Sequence, residues 1–159
     1  MTDLAVAVTA NDHIQGNPNA KIELVEYGDY ECPYSGKAYP VIKEVQKHFG
    51  DDLKFVFRNF PLAFHPHALH AAVAAEVAGY LGKFWEMHDT LYEHQNRLTD
   101  INLISYAKSL GLNVDEFEKH FLDTKFVEKI KHDMDGALKS GFNGTPMFYI
   151  NGVKYDGGY

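Results

Sequence analysis

The sequence predicts an α/β fold in which a small mixed sheet carries a large all-helical insertion. Three observations predict it. Two strand patterns, at 21–27 and 53–59, are separated by a stretch of helical spacing, the arrangement of a parallel crossover. Every signal from Pro66 to Ser140 is helical. Strand character returns at 147–150 and is followed by Asn151-Gly152, the strongest short hairpin signal because both positions tolerate positive φ.

The elements follow in order. Leu4 to Thr9 is expected as a short first strand. The polar, turn-rich segment from Asn11 to Asn19 is expected to join it to the rest. Ile22, Leu24 and Val25 mark the next strand. Ala38, Ile42, Val45 and Phe49 then fall on one helical stripe, with Gly50 as the stop. Pro40 removes the backbone bond to the Gly36 carbonyl and predicts a kink there. The second main strand runs from Leu53 to Asn59 and Pro61 ends it.

The insertion spans 63–140. It opens with an Ala-rich helix (Ala68, Ala71, Ala72, Ala75), continues with a Phe84, Met87, His88, Leu91 stripe, and has Asp100 and Asp123 as expected caps of later helices. With 159 residues and 45% hydrophobic content, one domain covering 1–159 is expected.

Composition excludes several classes of function. The formal net charge is −7 and no basic cluster exceeds a pair, so neither nucleic acid nor an anionic membrane surface is an expected partner. No run of about 18 apolar residues is present, so no membrane-spanning helix is expected. The opening Met1-Thr2-Asp3 lacks the basic start and long apolar run of a signal peptide, which predicts a cytoplasmic location if Met1 is the native start. His65, His67 and His70 cluster, but they lack a Cys pair or regularly spaced acidic ligands, so no metal site is expected. No phosphate-cradling glycine loop is present and no bound cofactor is expected.

One cysteine forbids an internal disulfide. Cys32 nevertheless stands where a strand ends and a helix begins. The unpaired first-turn N–H groups and the helix dipole favour negative charge at that place, so the thiolate, the attacking form, is favoured there. Pro33 suits the first helical position, where its missing N–H costs nothing. Ser35 lies one turn on, where it can donate an O–H hydrogen bond to the thiolate but cannot close a disulfide. The chemistry expected of these residues is therefore monothiol.

The segment Gly28-Asp29-Tyr30-Glu31-Cys32-Pro33-Tyr34-Ser35-Gly36 resembles the active-site segment of the DsbA-like thioredoxin-fold disulfide oxidoreductases. The distant run Gly141 to Gly152, containing Gly144-Thr145-Pro146, is similar to their cis-proline loop. Phe57 to Leu62, His65 to Ala68 and Gly82 to His88 also resemble the family, so the likeness extends from Asp12 to Gly158. It implies a thioredoxin-like fold with the helical insertion between the second strand and the hairpin. It implies Cys32, Ser35 and Glu26 as the reactive group and its helpers, with Glu26 relaying protons or tuning the sulfur. Substrate would lie against Pro33, Tyr34, Thr145 and a cis Pro146.

The sequence departs from the family at two points. Ser35 replaces the usual second cysteine. The family also continues with a final helix after the hairpin, so one sheet face is expected to be less covered, or covered by another subunit.

The resulting expectation is thiol–disulfide chemistry through a mixed disulfide at Cys32, on protein or small-molecule disulfides. It needs an external thiol for release, with glutathione as a candidate co-substrate. Two other readings stay open on the residues alone: a peptide-binding module with weak redox activity, and a glutathione-dependent transferase in which Ser35 serves the thiolate of glutathione.

Overall fold

Strand β2 (Ile22–Gly28) occupies the centre of a five-stranded sheet of order β1-β3-β2-β4-β5. It runs parallel to β3 (Leu53–Asn59), with Val25 beside Val56, and antiparallel to β4 (Met147–Ile150), with Glu26 opposite Phe148. The outer strands are β1 (His13–Gly16), antiparallel to β3, and β5 (Val153–Tyr155), the return of the terminal hairpin. The computed structural model describes residues 3–159; Met1 and Thr2, on which the reading of the chain's start rests, lie outside them.

Helix α1 (Pro33–Phe49) makes the crossover from β2 to β3 and continues through Pro40, which faces solvent. Five helices lie between β3 and β4: α2 (Ala68–Tyr80), α3 (Phe84–Glu93), α4 (Asp100–Ser109), α5 (Val114–Phe121) and α6 (Thr124–Lys139). This is the thioredoxin-like arrangement with its helical insertion in the expected place. The two faces of the sheet alternate strictly, as strand geometry requires. Leu24, Phe55, Phe57 and Phe148 point into a core shared with α1, α2 and α3, where Ala38, Ala75, Met87 and Leu91 are buried. Val25, Tyr27, Val56, Met147 and Tyr149 point the other way, against Ala137 of α6 and Leu4. Each large apolar side chain so enclosed contributes roughly 1.5–3 kcal/mol of transfer free energy.

The first strand differs from expectation. Leu4 to Thr9 is not a strand, and the true edge strand, His13–Gly16, falls inside the segment expected to be a turn. Leu4, Val6 and Val8 are more buried than the residues between them, but the backbone there pairs with no strand: Leu4 N–H donates to the Gly152 carbonyl of the hairpin turn, and the rest turns largely to side chains. Ala5 N–H donates to Ser140 Oγ, and the carbonyls of Val6 and Ala7 accept from the Arg58 guanidinium. Arg58 also holds Asp12 through two nitrogens and Tyr27 through its hydroxyl. The Asp12 carboxyl is consequently held below its ordinary range despite its burial.

Two smaller corrections concern helix ends. Thr99, not Asp100, caps α4: its Oγ1 accepts from Asn102 N–H while Asn102 Oδ1 accepts from Thr99 N–H, a reciprocal capping box. Asp100 instead pairs with His70 at 2.7 Å. Phe49, expected on the inward stripe of α1, sits in the last turn beyond the sheet and is exposed. Asp123 does cap α6, accepting from Lys125 N–H. Over β4 and β5 the sheet is lightly covered: Ile150, Val153 and Tyr155 are exposed.

Candidate active site

The loop between β2 and α1 is organised by Asp29, a residue that sequence reasoning passed over. Its buried carboxylate accepts from the N–H groups of Glu31 (2.8 Å), Cys32 (3.2 Å) and Leu62 (2.9 Å), and meets His65 Nδ1 at 2.7 Å. One side chain thereby holds together the tip of α1 and the segment after β3. The signal was present as an Asx turn, an aspartate whose oxygen bonds the backbone two and three residues on. Glu31 repeats the pattern outward, accepting from the backbone N–H of His67 and pairing with its Nδ1. The histidine cluster thus serves carboxylates. Among the described residues no group of three or more His, Cys, Asp or Glu is placed to hold a metal ion.

Cys32 is the N-cap of α1 and Pro33 its first residue. The sulfur makes no capping hydrogen bond to the first-turn amides. Its S–H instead points across to the Thr145 carbonyl, with Sγ 3.6 Å from the oxygen. No acidic side chain lies in the first turn of α1 itself, while the Asp29 carboxylate just before it accepts from the Cys32 N–H at 3.2 Å. The Thr145–Pro146 peptide is cis and directly precedes β4. Gln95, from the turn after α3, donates from Nε2 to the carbonyls of both Tyr30 and Cys32 at 2.9 Å. A Cβ on Gly36 would collide with the Gln95 amide, so glycine at 36 is what lets this clamp approach the helix. No sequence pattern marks Gln95.

Ser35 is fully buried, and the expected bond from its hydroxyl to Cys32 is not formed. Its Oγ accepts from Asp29 N–H at 3.3 Å and lies beside the Tyr92 hydroxyl. The reason is geometric: the side chain one turn along faces back under the loop, where Asp29 N–H needs an acceptor.

Glu26 is enclosed in the central strand, with Phe57 and Phe148 as its cross-strand neighbours. Burial alone pushes its carboxyl up to about 8, so it carries a proton at neutral pH. Above it, Tyr30 donates to or accepts from His88 Nδ1 at 2.9 Å, and burial holds His88 neutral.

Of the residues expected at the rim, Pro33 and Tyr34 are both exposed, Tyr34 at 61%. Tyr159 folds back onto this rim. Its hydroxyl donates to the Tyr34 carbonyl at 3.3 Å and its ring meets Phe148 edge-on. Partial burial, followed by the charges of Cys32 and Glu26, pushes the Tyr159 phenol up. The structure therefore sets Cys32, itself buried at 3% exposure, against Thr145 of the cis-Pro146 loop, and Tyr159 against Tyr34 at the rim.

A strand-to-helix loop with a cysteine at the helix tip, facing a proline loop before a hairpin, defines the class of thioredoxin-fold proteins with a redox-type site. The chain belongs to the thioredoxin family, whose model matches residues 8–158. Its fold is DsbA-like. It superposes on a thioredoxin-like oxidoreductase from Silicibacter pomeroyi DSS-3 with a TM-score of 0.84 at 26% identity, covering 94% of this chain and 85% of that one. With the oxidised form of BdbD from Bacillus subtilis the TM-score is 0.82 at 27% identity, covering 92% and 84%. Among curated proteins it is 44% identical over 159 residues to a Na(+)/H(+) antiporter NhaA 1 from Salinispora arenicola. That match takes in 99% of this chain and 24% of the antiporter, so the chain spans about a quarter of such relatives. None of the described helices is long and apolar enough to cross a membrane.

Proposed function

We propose that this protein catalyses thiol–disulfide exchange through a mixed disulfide on Cys32. The observation that carries the reading is the position of Sγ, at the helix tip and 3.6 Å from the Thr145 carbonyl. The Cys32 thiolate attacks one sulfur of a disulfide R–S–S–R′. A Cys32–S–S–R bond forms, the original S–S bond breaks, and R′S⁻ leaves. Glu26, protonated at neutral pH, supplies the proton that converts R′S⁻ to R′SH. An external thiol then loses its proton to the Glu26 carboxylate, attacks the R-bearing sulfur, and restores the Cys32 thiolate.

An extended substrate backbone pairs along Thr145 as an added strand, with Pro33, Tyr34 and Pro146 forming the walls. Glutathione fits both roles, as part of a mixed disulfide and as the releasing thiol. With Ser35 in place of a second thiol, reduction, isomerisation and deglutathionylation are the supported reactions, not dithiol oxidation. The residues as a set support this over a redox-weak binding module or a glutathione transferase. A reducing cytoplasm would supply the external thiol in excess, and the exchange step is the same in any thiol-containing compartment. The antiporter name of the curated relatives is not carried over, because the match covers a quarter of their length.

The test is the intact mass after incubation with oxidised glutathione. One glutathionyl group should appear, be lost on adding reduced thiol, and be absent in Cys32→Ala. A wild-type chain that stays unmodified would overturn the proposal.

A further inference from the structure

Two buried oxygens without hydrogen-bond partners border one small space. Glu26 Oε1 and the Tyr92 hydroxyl are both enclosed; the first has no partner, and the second has none of acceptable geometry, its polar neighbour Ser35 Oγ being turned to Asp29 N–H. A Cβ placed on Gly28 would lie 3.0 Å from Glu26 Oε1, 2.7 Å from the Tyr92 oxygen and 2.6 Å from Phe57 Cε2. Gly28 does not have positive φ, so its backbone conformation does not require glycine, and glycine weakens a strand interior. What glycine leaves at this place is room for the two oxygens. Aromatic rings close the remaining walls: Tyr30 packs 4.8 Å from Tyr92 and 5.2 Å from Phe57.

Unpaired buried polar groups are costly, and these two are complementary. The phenol has a proton to donate, and the ionised carboxylate has lone pairs to accept it. We propose that Tyr92 is a positioning residue for proton transfer, its hydroxyl donating a hydrogen bond to the Glu26 carboxylate across the space left by Gly28. The inference rests on the reading of Glu26 as the group that exchanges protons with thiols at Cys32. When Glu26 gives its proton to the leaving thiolate, the new carboxylate would otherwise be a bare charge in an aromatic enclosure. The Tyr92 O–H supports that charge while keeping its own proton, which burial and the acids around it hold far above neutrality. The titratable groups that interact with the Glu26 charge are Tyr30 on the loop, Tyr92 on α3 and Tyr159 at the rim.

The experiment is a carbon-13 NMR titration of the Glu26 carboxyl in the full chain, as wild type and as Tyr92→Phe, each with an unfolding curve. The wild-type midpoint should lie near 8. In Tyr92→Phe it should rise by about one pH unit, the worth of one hydrogen bond to a charged group. Gly28→Ala, which closes the space, should shift it in the same direction. A Tyr92→Phe midpoint that is unchanged or lower, with or without lost stability, shows that Tyr92 only packs and overturns the proposal. The carboxyl titration does not need a working thiol and can be repeated in Cys32→Ser. A chain that forms no mixed disulfide but shows the shift would therefore refute the exchange reaction and leave the Tyr92–Glu26 pairing standing.

Discussion

The sulfur of Cys32 lies 3.6 Å from the carbonyl oxygen of Thr145, a residue 113 positions further along the chain. The contact joins the tip of α1 to the loop before β4, so a substrate sulfur bonded to Cys32 has its own backbone beside Thr145. A peptide disulfide should therefore react faster than a small disulfide with the same leaving thiol. One or two added backbone hydrogen bonds correspond to an advantage of about tenfold. Stopped-flow rates for the matched pair measure it, and equal rates would show that Thr145 gives substrate no backbone support.

Glu26 makes stability depend on pH in a definite direction. Its folded-state value is raised to about 8 from an ordinary 4.5. Between these limits the unfolded chain has lost the proton that the folded chain still holds, so stability falls as pH rises and levels off above the folded value. Glu26→Gln should remove this slope. Its stability gain over wild type should be absent near pH 4 and grow to on the order of 4 kcal/mol above pH 8. Urea unfolding at several pH values reads it directly, and parallel curves for the two proteins would contradict the burial argument.

Asp29 should matter more for the integrity of the site than any residue at its rim. Asp29→Ala leaves the N–H groups of Glu31 and Leu62 and the His65 ring without their acceptor, while the Cys32 N–H keeps its bond to the backbone carbonyl of residue 29. A loss of about 2–4 kcal/mol is expected. Hydrogen exchange at the amides of Glu31 and Leu62 should accelerate together, because one carboxylate protects both, while the Cys32 amide, held also by the backbone carbonyl of residue 29, should change less.

Ser35 separates two roles. Ser35→Ala removes the acceptor of Asp29 N–H and should cost about 1 kcal/mol while leaving single-turnover adduct formation at Cys32 intact. Ser35→Cys places a second thiol one turn from the first and should give a chain that forms an internal disulfide and reduces insulin with a thiol reductant. Mass spectrometry under alkylating and oxidising conditions distinguishes the outcomes. Failure of Ser35→Cys to oxidise would mean that the buried position cannot reach the sulfur.

Tyr159 lies across the rim, between the Tyr34 carbonyl and the Phe148 ring. Tyr159→Ala removes the bond to the Tyr34 carbonyl and the ring against Phe148. Alkylation of Cys32 by a bulky maleimide should accelerate severalfold, while iodoacetamide should be little affected. Equal acceleration of both reagents would indicate a general loosening of the rim.

The architecture was legible because it is written in periodicities. The alternation in β2 and β3, the helical spacing beyond Pro66 and the Asn-Gly hairpin each reflect local geometry that tertiary packing reinforced. The error at the first strand has one cause: an apolar run reports burial but not where the backbone hydrogen bonds go. In Leu4 to Thr9 they go to Arg58, Ser140 and Gly152, far away in sequence. The place of Cys32 at the helix tip and the cis-proline loop facing it were readable from motif and order. Gln95, Tyr92 and Tyr159 were not, since each reaches the site from an element whose docking angle no local pattern encodes. Ser35 shows the same limit at short range: its place one turn after Cys32 was clear, but the amide it bonds depends on how the loop folds over it.

The replacement of a second thiol by Ser35 has a kinetic consequence. A dithiol protein can eject a captured partner by itself, at a rate set by its own geometry. On the proposed mechanism the covalent complex would have no exit among these residues, and its lifetime would scale inversely with the concentration of free thiol outside. In thiol-rich surroundings such a domain turns over; in thiol-poor ones it becomes a covalent clamp that retains what it has caught.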